Sequence, residues 1–237
     1  MHSNFSSSRL VRLLGDRAPV AAPAAGMDFA ERLSRWVNAF DAIGLQAAHQ
    51  SIRAMRAAAA PPAAAARPDA GRSLATQFRQ ARAALAHAIA QDLPAAANDA
   101  GFAPYQQRHL ELQRQMEQAV AALREQVRQR LGPVSATLRQ LAALDAVFEH
   151  LVAPRERALL PTAVSMMGRR YEQLRSAHRQ TLEAGEPDDP LQWRAPGGWL
   201  QVFAHEWRQV LLAELDLRLE PVAGLVEALA DEAGGQA

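Results

Sequence analysis

The residues most suggestive of acid–base chemistry are His205 and Glu206, which lie side by side in the stretch GGWLQVFAHEWRQVLLAELDLRLEP. An imidazole and a carboxylate can transfer protons or hold a metal ion when both reach the same atom. Adjacent residues of a helix point about 100° apart, however, and His205 has no Asp, Glu or His three or four positions away. The spacing therefore favours a helix with a polar side over a catalytic pair.

The other histidines also lack a metal-binding or acid–base partner at helical spacing. None of the seven has an Asp, Glu or His at helical spacing, so the paired ligands of helical zinc and carboxylate-bridged sites are missing. The sequence has no Cys and no Lys, which excludes disulfides, thiolate ligands and Schiff-base chemistry. It also has no nucleotide-binding or hydrolase motif. We expect a non-enzyme with no cofactor and no metal; a ligand or metal site assembled between helices stays open as an alternative.

A basic patch in GRRYEQLRSAHR consists of Arg169, Arg170, Arg175 and Arg179. Guanidinium groups clustered in this way can contact nucleic-acid phosphates. Glu172 interrupts the run, and no evident helix-turn-helix unit surrounds it. The pattern favours a solvated helix face, or a face that docks an acidic segment, and keeps nucleic-acid binding as an alternative.

Aromatic residues are concentrated in one short region that contains Trp193, Trp199, Phe203 and Trp207. Three of these four lie one turn apart on a predicted helix, and together they form a row on one side of it. The row can anchor the helix to its own fold, or it can bind a partner. We therefore predict these four residues as a candidate partner surface.

The elements that must position these side chains are helices. Apolar residues make up 49% of the chain and recur at steps of three and four, whereas no segment shows the alternation of a strand. Such stripes predict an all-α fold: an elongated antiparallel bundle, coiled-coil-like, of about six substantial helices joined by Ala/Pro-rich loops. The predicted helices are 5–14, 28–58, 73–93, 105–131, 134–152, 155–184, 198–220 and a last segment after Pro221.

Two prolines and one aspartate interrupt the regular pattern of these predicted helices. Pro161 predicts a late start or a kink, and Pro221 predicts a kink or the start of a short last helix. Asp145 interrupts the apolar stripe of the predicted helix 134–152.

The predicted organisation is a short helix and linker over residues 1–26, followed by a single helical domain over 27–237. Within that domain, the low-complexity segment 57–72 predicts a flexible loop, and 183–237 forms an acidic C-terminal arm. Residues 1–182 hold 23 Arg and 14 acidic residues, a net charge of +9, whereas residues 183–237 hold 3 Arg and 11 acidic residues, a net charge of −8. Such segregation can steer a partner or pair two parts of one fold.

The hydropathy of the sequence indicates where in the cell the protein is expected. No run of about 18 apolar residues is present, so we expect no transmembrane segment. Arg9, Arg12, Asp16 and Arg17 interrupt the N-terminal region, so we expect no secretory signal peptide. Together with the lack of Cys, these features predict a cytoplasmic protein.

Three segments carry a family resemblance: SSRLVRLLGD near the start, FAERLSRWVNAFDAIGLQAA, and the C-terminal stretches GGWLQVF and VLLAELDLRLEPVAGLVEAL. They resemble an uncharacterised proteobacterial family catalogued as a domain of unknown function. The resemblance covers most of the chain, assigns no catalytic residue, and implies a bacterial protein with an envelope- or motor-related partner. The expected function is a non-enzymatic helical interaction or scaffold protein, which binds another protein or itself. Nucleic-acid binding is the alternative, followed by a ligand or metal site between helices.

Overall fold

The computed structural model describes residues 9–10, 13, 44, 46–47, 49–50, 52, 54, 68–93, 101–182 and 188–235. In these ranges the regular structure is entirely α-helical, which confirms the predicted all-α class. The helices are α1 (Pro68–Ala90), α2 (Ala103–Leu131), α3 (Ala136–Thr181), α4 (Pro190–Arg194) and α5 (Trp199–Gly235). Among the described residues, no helix combines the length and the apolar character needed to span a bilayer.

Helix α2 has the buried side that its sequence predicts. Every residue of the predicted stripe is buried except Ala119, which is half-buried. Gly132 follows the end of the helix, as expected for a helix C-terminus. The buried residues of the stripe are Tyr105, His109, Leu112, Met116, Leu123 and Val127.

Helix α1 begins earlier than predicted. Residues 68–72 were expected in the flexible loop 57–72, with a helix starting after a Ser73 cap; instead they form the first turns of α1. The prediction was wrong because a proline stops a helix only in its interior. At the first helical position, the N–H that Pro68 lacks would have had no partner within the helix.

Helix α3 joins two segments that were predicted as separate helices, 134–152 and 155–184. It continues through Pro154 and Pro161 for 46 residues. An interior proline costs about 3 kcal/mol, and packing of the following turn can offset that cost. Ala163, Val164 and Met167 are buried directly after Pro161.

Helix α5 likewise continues through Pro221, for 37 residues. The apolar residues after this proline are all buried, as their spacing predicts: Val222, Leu225, Val226 and Leu229. The described ranges contain four long helices and the five-residue α4. Of the about six long helices predicted, 134–152 and 155–184 form one helix, and 28–58 lies mostly outside the described residues.

Two predicted N-terminal helices lie mostly outside the described residues. Of the predicted helix 5–14, residues 9, 10 and 13 are described and are helical. Of the predicted helix 28–58, the described residues 44, 46–47, 49–50, 52 and 54 are helical. The linker up to residue 26 and the part of the predicted loop before residue 68 lie outside the described residues.

The chain divides into two compact units. Unit 1 comprises Met1–Val20, Arg82–Gln118 and Leu159–Arg218, and unit 2 comprises Ala21–Ala81, Ala119–Ala158 and Leu219–Ala237. The described core of unit 1 is rich in aromatic rings, whereas that of unit 2 is aliphatic, with residues such as Leu131, Leu138 and Leu225.

Candidate functional site

The aromatic row of α5 packs inside unit 1. Trp199, Phe203 and Trp207 are all buried. The Phe203 ring lies 5.0 Å from that of Tyr105 and 5.1 Å from that of Tyr171, and both contacts are edge-to-face, the arrangement that aromatic rings prefer. These three side chains therefore anchor α5 to its own unit and are not open to a partner in this structure.

Trp193, the fourth residue of the candidate partner surface, is half-buried on α4. Its ring lies 5.5 Å from that of Trp199, and its indole N–H donates to Asp188 at 2.6 Å. Asp188 also contacts Nε2 of His178, at 3.0 Å. Burial raises the pKa of Asp188, but the hydrogen bonds from Trp193 and His178 outweigh it, so the pKa lies below its ordinary value. Trp193 is thus tied to the loop before α4.

A buried polar network lies next to these rings, and its centre is Glu214. Gln113 donates to one carboxylate oxygen at 3.0 Å, and Nε of Arg218 donates to the other at 3.0 Å. Nε2 of His109 lies 3.7 Å from the carboxylate, beyond hydrogen-bond distance. Trp207 donates to Nδ1 of the same imidazole at 3.2 Å.

The electrostatics of this network favour an ionised Glu214. Burial by itself raises the pKa of a carboxyl group, because a charge is poorly solvated inside a protein. The interactions with His109, Gln113 and Arg218 oppose this effect, and the net pKa of Glu214 lies below its ordinary value. The group therefore forms a buried ion pair with Arg218, four residues further along α5.

Sequence reasoning did not identify this network. Gln113 and Glu214 are 101 residues apart in the sequence, and His109 and Trp207 are 98 residues apart. One signal was available: Glu214 and Arg218 stand at i, i+4 spacing within the stretch VLLAELDLRL, whose other residues except Asp216 are apolar. A carboxylate on the apolar side of a helix requires a partner.

His205 and Glu206 are separated, as the helical spacing predicts. His205 is exposed, whereas the carboxylate of Glu206 receives two hydrogen bonds from the guanidinium of Arg170, at 2.8 and 2.9 Å. The side-by-side geometry is the strong form of an Arg–carboxylate pair. Glu206 thus joins α5 to α3 within unit 1.

The four arginines of the basic patch are in different environments. Arg170 is bound to Glu206, and Arg175 lies 4.0 Å from Glu172. Arg169 and Arg179 are exposed on α3. Arg169 borders an open hollow of about 660 Å³ whose described lining comes from one face of α3. The structure therefore leaves two members of the patch exposed and involves the other two in ion pairs, one between helices and one within α3.

Unit 1 also contains a smaller and more enclosed pocket, of about 280 Å³. Segments that are distant in sequence contribute to it: the residues that follow α1, the first turn of α2, the end of α4 and one side of α5. Leu200, Ala204 and Trp207 form its apolar wall. The polar residues that line it are Gln91, Asp92, Tyr105, Arg194, Gln201 and Arg208.

Metal ligands are not clustered in the described ranges: no group of three or more His, Asp or Glu side chains there could hold an ion.

A family model described as "Protein of unknown function (DUF3348)" matches residues 1–231. The chain belongs to this family. The match spans all five helices up to residue 231, and it includes both the buried Glu214 network and the pocket of unit 1. No curated protein and no solved structure matches this DUF3348 chain.

Proposed function

We propose that this DUF3348 protein is a non-enzymatic helical interaction protein that binds a second copy of itself through α3. The observation that carries the proposal is an exposed apolar row in unit 2. Leu144, Phe148 and Val152 are 37%, 47% and 41% exposed, and they lie four residues apart. That spacing places the three side chains on one face of the helix, along about 12 Å of its length.

The surroundings of the row are apolar as well. Leu141, Val147 and Leu151 flank it and are half-buried. The formally charged residues between Arg139 and Arg155 are Asp145 and Glu149, and both are paired with arginines of α2. Contiguous exposed apolar surface of this kind is typical of a binding face.

A second copy fits this row because the row is nearly symmetric. In an antiparallel two-fold pair, Phe148 meets Phe148 of the other copy, and Leu144 meets Val152. Ridges of residues four apart pack into each other, and two-fold pairs are the commonest oligomers. Three side chains cover only part of the roughly 800 Å² per partner that stable complexes bury. We therefore expect a reversible, concentration-dependent dimer.

Sedimentation velocity across a concentration series tests this proposal. Wild-type protein should shift from monomer to dimer as concentration rises, and Phe148→Asp should remain monomeric. The matched control is Leu191→Asp, because Leu191 is 82% exposed on α4 of unit 1. This control should dimerise like wild type. A wild-type chain that stays monomeric at every concentration, or a Phe148→Asp variant that dimerises normally, would reject self-association through this row.

Several finer expectations belong to the same proposal. They are the elongated antiparallel bundle, the cytoplasmic location and an envelope- or motor-related partner, the last on family resemblance alone. Nucleic-acid binding has less support, because Arg170 is paired with Glu206 and only Arg169 and Arg179 of the patch are exposed. A gel shift that weakens steeply with salt and is lost in the double Arg169→Gln, Arg179→Gln variant would favour it.

A further inference from the structure

Two arginines from different elements line the 280 Å³ pocket of unit 1. Nη1 of Arg194 donates to the backbone oxygen of Leu93 at 3.3 Å, which holds the end of α4 against the segment after α1. Nη2 of Arg208 pairs with Asp92. Two guanidinium groups and one carboxylate give the pocket a net positive charge.

The hydroxyl of Tyr105 lies within the field of both arginines. Burial raises the pKa of this phenol, and the positive charges of Arg194 and Arg208 act in the opposite direction. Because Arg194 and Arg208 both line the pocket and only one carboxylate opposes them, the pocket favours an anion as its occupant.

Arg208, which lines the pocket, has one hydrogen-bond donor without an acceptor. Nε of Arg208 is buried and has no hydrogen-bond partner. A buried donor of this kind destabilises the fold until an acceptor reaches it. Of the Arg208 nitrogens, only Nη2 donates a hydrogen bond to Asp92. Because the Asp92 side chain is 79% exposed, it can move into solvent at little cost.

We infer that this pocket binds a small organic carboxylate, whose charged group takes the place of Asp92 on Arg208 and faces Arg194. The net charge of the pocket matches a monoanion. The pocket is lined mostly by polar groups, and Leu200, Ala204 and Trp207 add one apolar wall against which a small organic body can pack, a contact that a free phosphate ion lacks. A volume of about 280 Å³ lies just below the roughly 300–1,000 Å³ of typical ligand pockets, which limits the ligand to a small metabolite.

Calorimetric titration of the full chain with three probes tests the chemistry. Benzoate carries a carboxylate on a flat apolar ring, benzamide has the same shape without charge, and inorganic phosphate has charge without an apolar body. Benzoate should bind at least tenfold more tightly than benzamide, because charge-assisted hydrogen bonds to guanidinium are strong. Equal binding of benzoate and benzamide, or tighter binding of phosphate than of benzoate, would overturn the inference.

Three variants locate the binding. Arg208→Gln should weaken benzoate binding at least tenfold, whereas Arg179→Gln, on an exposed position outside the pocket, should leave it unchanged. Asp92→Asn should strengthen benzoate binding several-fold, because it removes the carboxylate that competes for Arg208. This gain of affinity is informative even if Arg208→Gln fails to fold. Weaker or unchanged binding in Asp92→Asn, or loss of binding in Arg179→Gln, contradicts the assigned site.

Discussion

The indole N–H of Trp207 donates to Nδ1 of His109 at 3.2 Å, and both side chains are buried in unit 1. Because an indole nitrogen can only donate, Nδ1 must be the accepting, unprotonated nitrogen of the imidazole. The ring proton then lies on Nε2, which faces the carboxylate of Glu214 at 3.7 Å. The contact with Trp207 therefore selects the tautomer of His109 that accepts at Nδ1.

This tautomer is the first prediction. In an NMR spectrum of the histidine side chains at pH 7, His109 should show a protonated Nε2 and an unprotonated Nδ1. Trp207→Phe removes the donor while it keeps an aromatic ring, and the Nδ1 signal should then change. The variant should also lose about 1–3 kcal/mol of unfolding free energy, because a buried acceptor loses its partner. A protonated Nδ1 in the wild-type spectrum would show that the donor assignment is wrong.

A second prediction concerns the stability of the fold at low pH. The pKa of Glu214 in the folded protein lies below its ordinary value of 4.5, although burial alone would raise it, because His109, Gln113 and Arg218 interact with the carboxylate. A lowered folded pKa stabilises the fold above the unfolded pKa, and this contribution is lost as pH falls through the folded value. The unfolding free energy of wild-type protein should therefore decrease as pH falls below about 4.5.

The matching variant is Glu214→Gln. At pH 7 it should lower the unfolding free energy by about 3 kcal/mol, because it leaves Arg218 buried without a counter-charge. Its unfolding free energy should also depend less on pH below about 4.5 than that of wild type. Glu220→Gln, at an exposed position on the same helix, should change stability by less than about 0.5 kcal/mol. Denaturant unfolding at several pH values checks this; parallel pH profiles for wild type and Glu214→Gln would argue against the network.

Local periodicity predicted the parts of the fold that depend on single helices. The stripe of α2 and the apolar positions after Pro221 are buried as the spacing indicates. The start of α1 was wrong because Pro68 occupies the first helical position, where a proline is tolerated. The division of α3 was wrong because packing offsets the cost of its interior prolines. No pattern within a short window contains that information.

Asp145 shows the same limit for polar residues. In the sequence it interrupts an apolar stripe, yet the structure places it beside Arg124, at 2.6 and 2.8 Å, and Arg128, at 3.1 Å. Both arginines belong to α2, so the reason for a carboxylate at this position lies on another helix. The Glu214 network and the pocket of unit 1 were missed for the same reason, since each combines residues about 100 positions apart.

The third prediction concerns the junction between α4 and α5. Gly197 adopts a positive φ of 85°, a conformation that favours glycine. A side chain at Gly198 would collide with the backbone oxygens of Gln192 and Trp193, which cannot move without unwinding α4. Because α4 carries Arg194, this close approach of the backbone also positions one side of the pocket.

Gly198→Ala should therefore destabilise the protein by about 2 kcal/mol, the usual cost of forcing extra volume into a packed site. It should also weaken benzoate binding in proportion to the displacement of Arg194. Gly224→Ala is the matched control, since a Cβ there meets no atom within 4 Å and the residue lies inside α5. Alanine has the higher helix propensity, so the control should gain up to about 1 kcal/mol. Thermal unfolding of the two variants should give shifts of opposite sign, and a stabilised Gly198→Ala would mean that the α4–α5 junction is not closely packed.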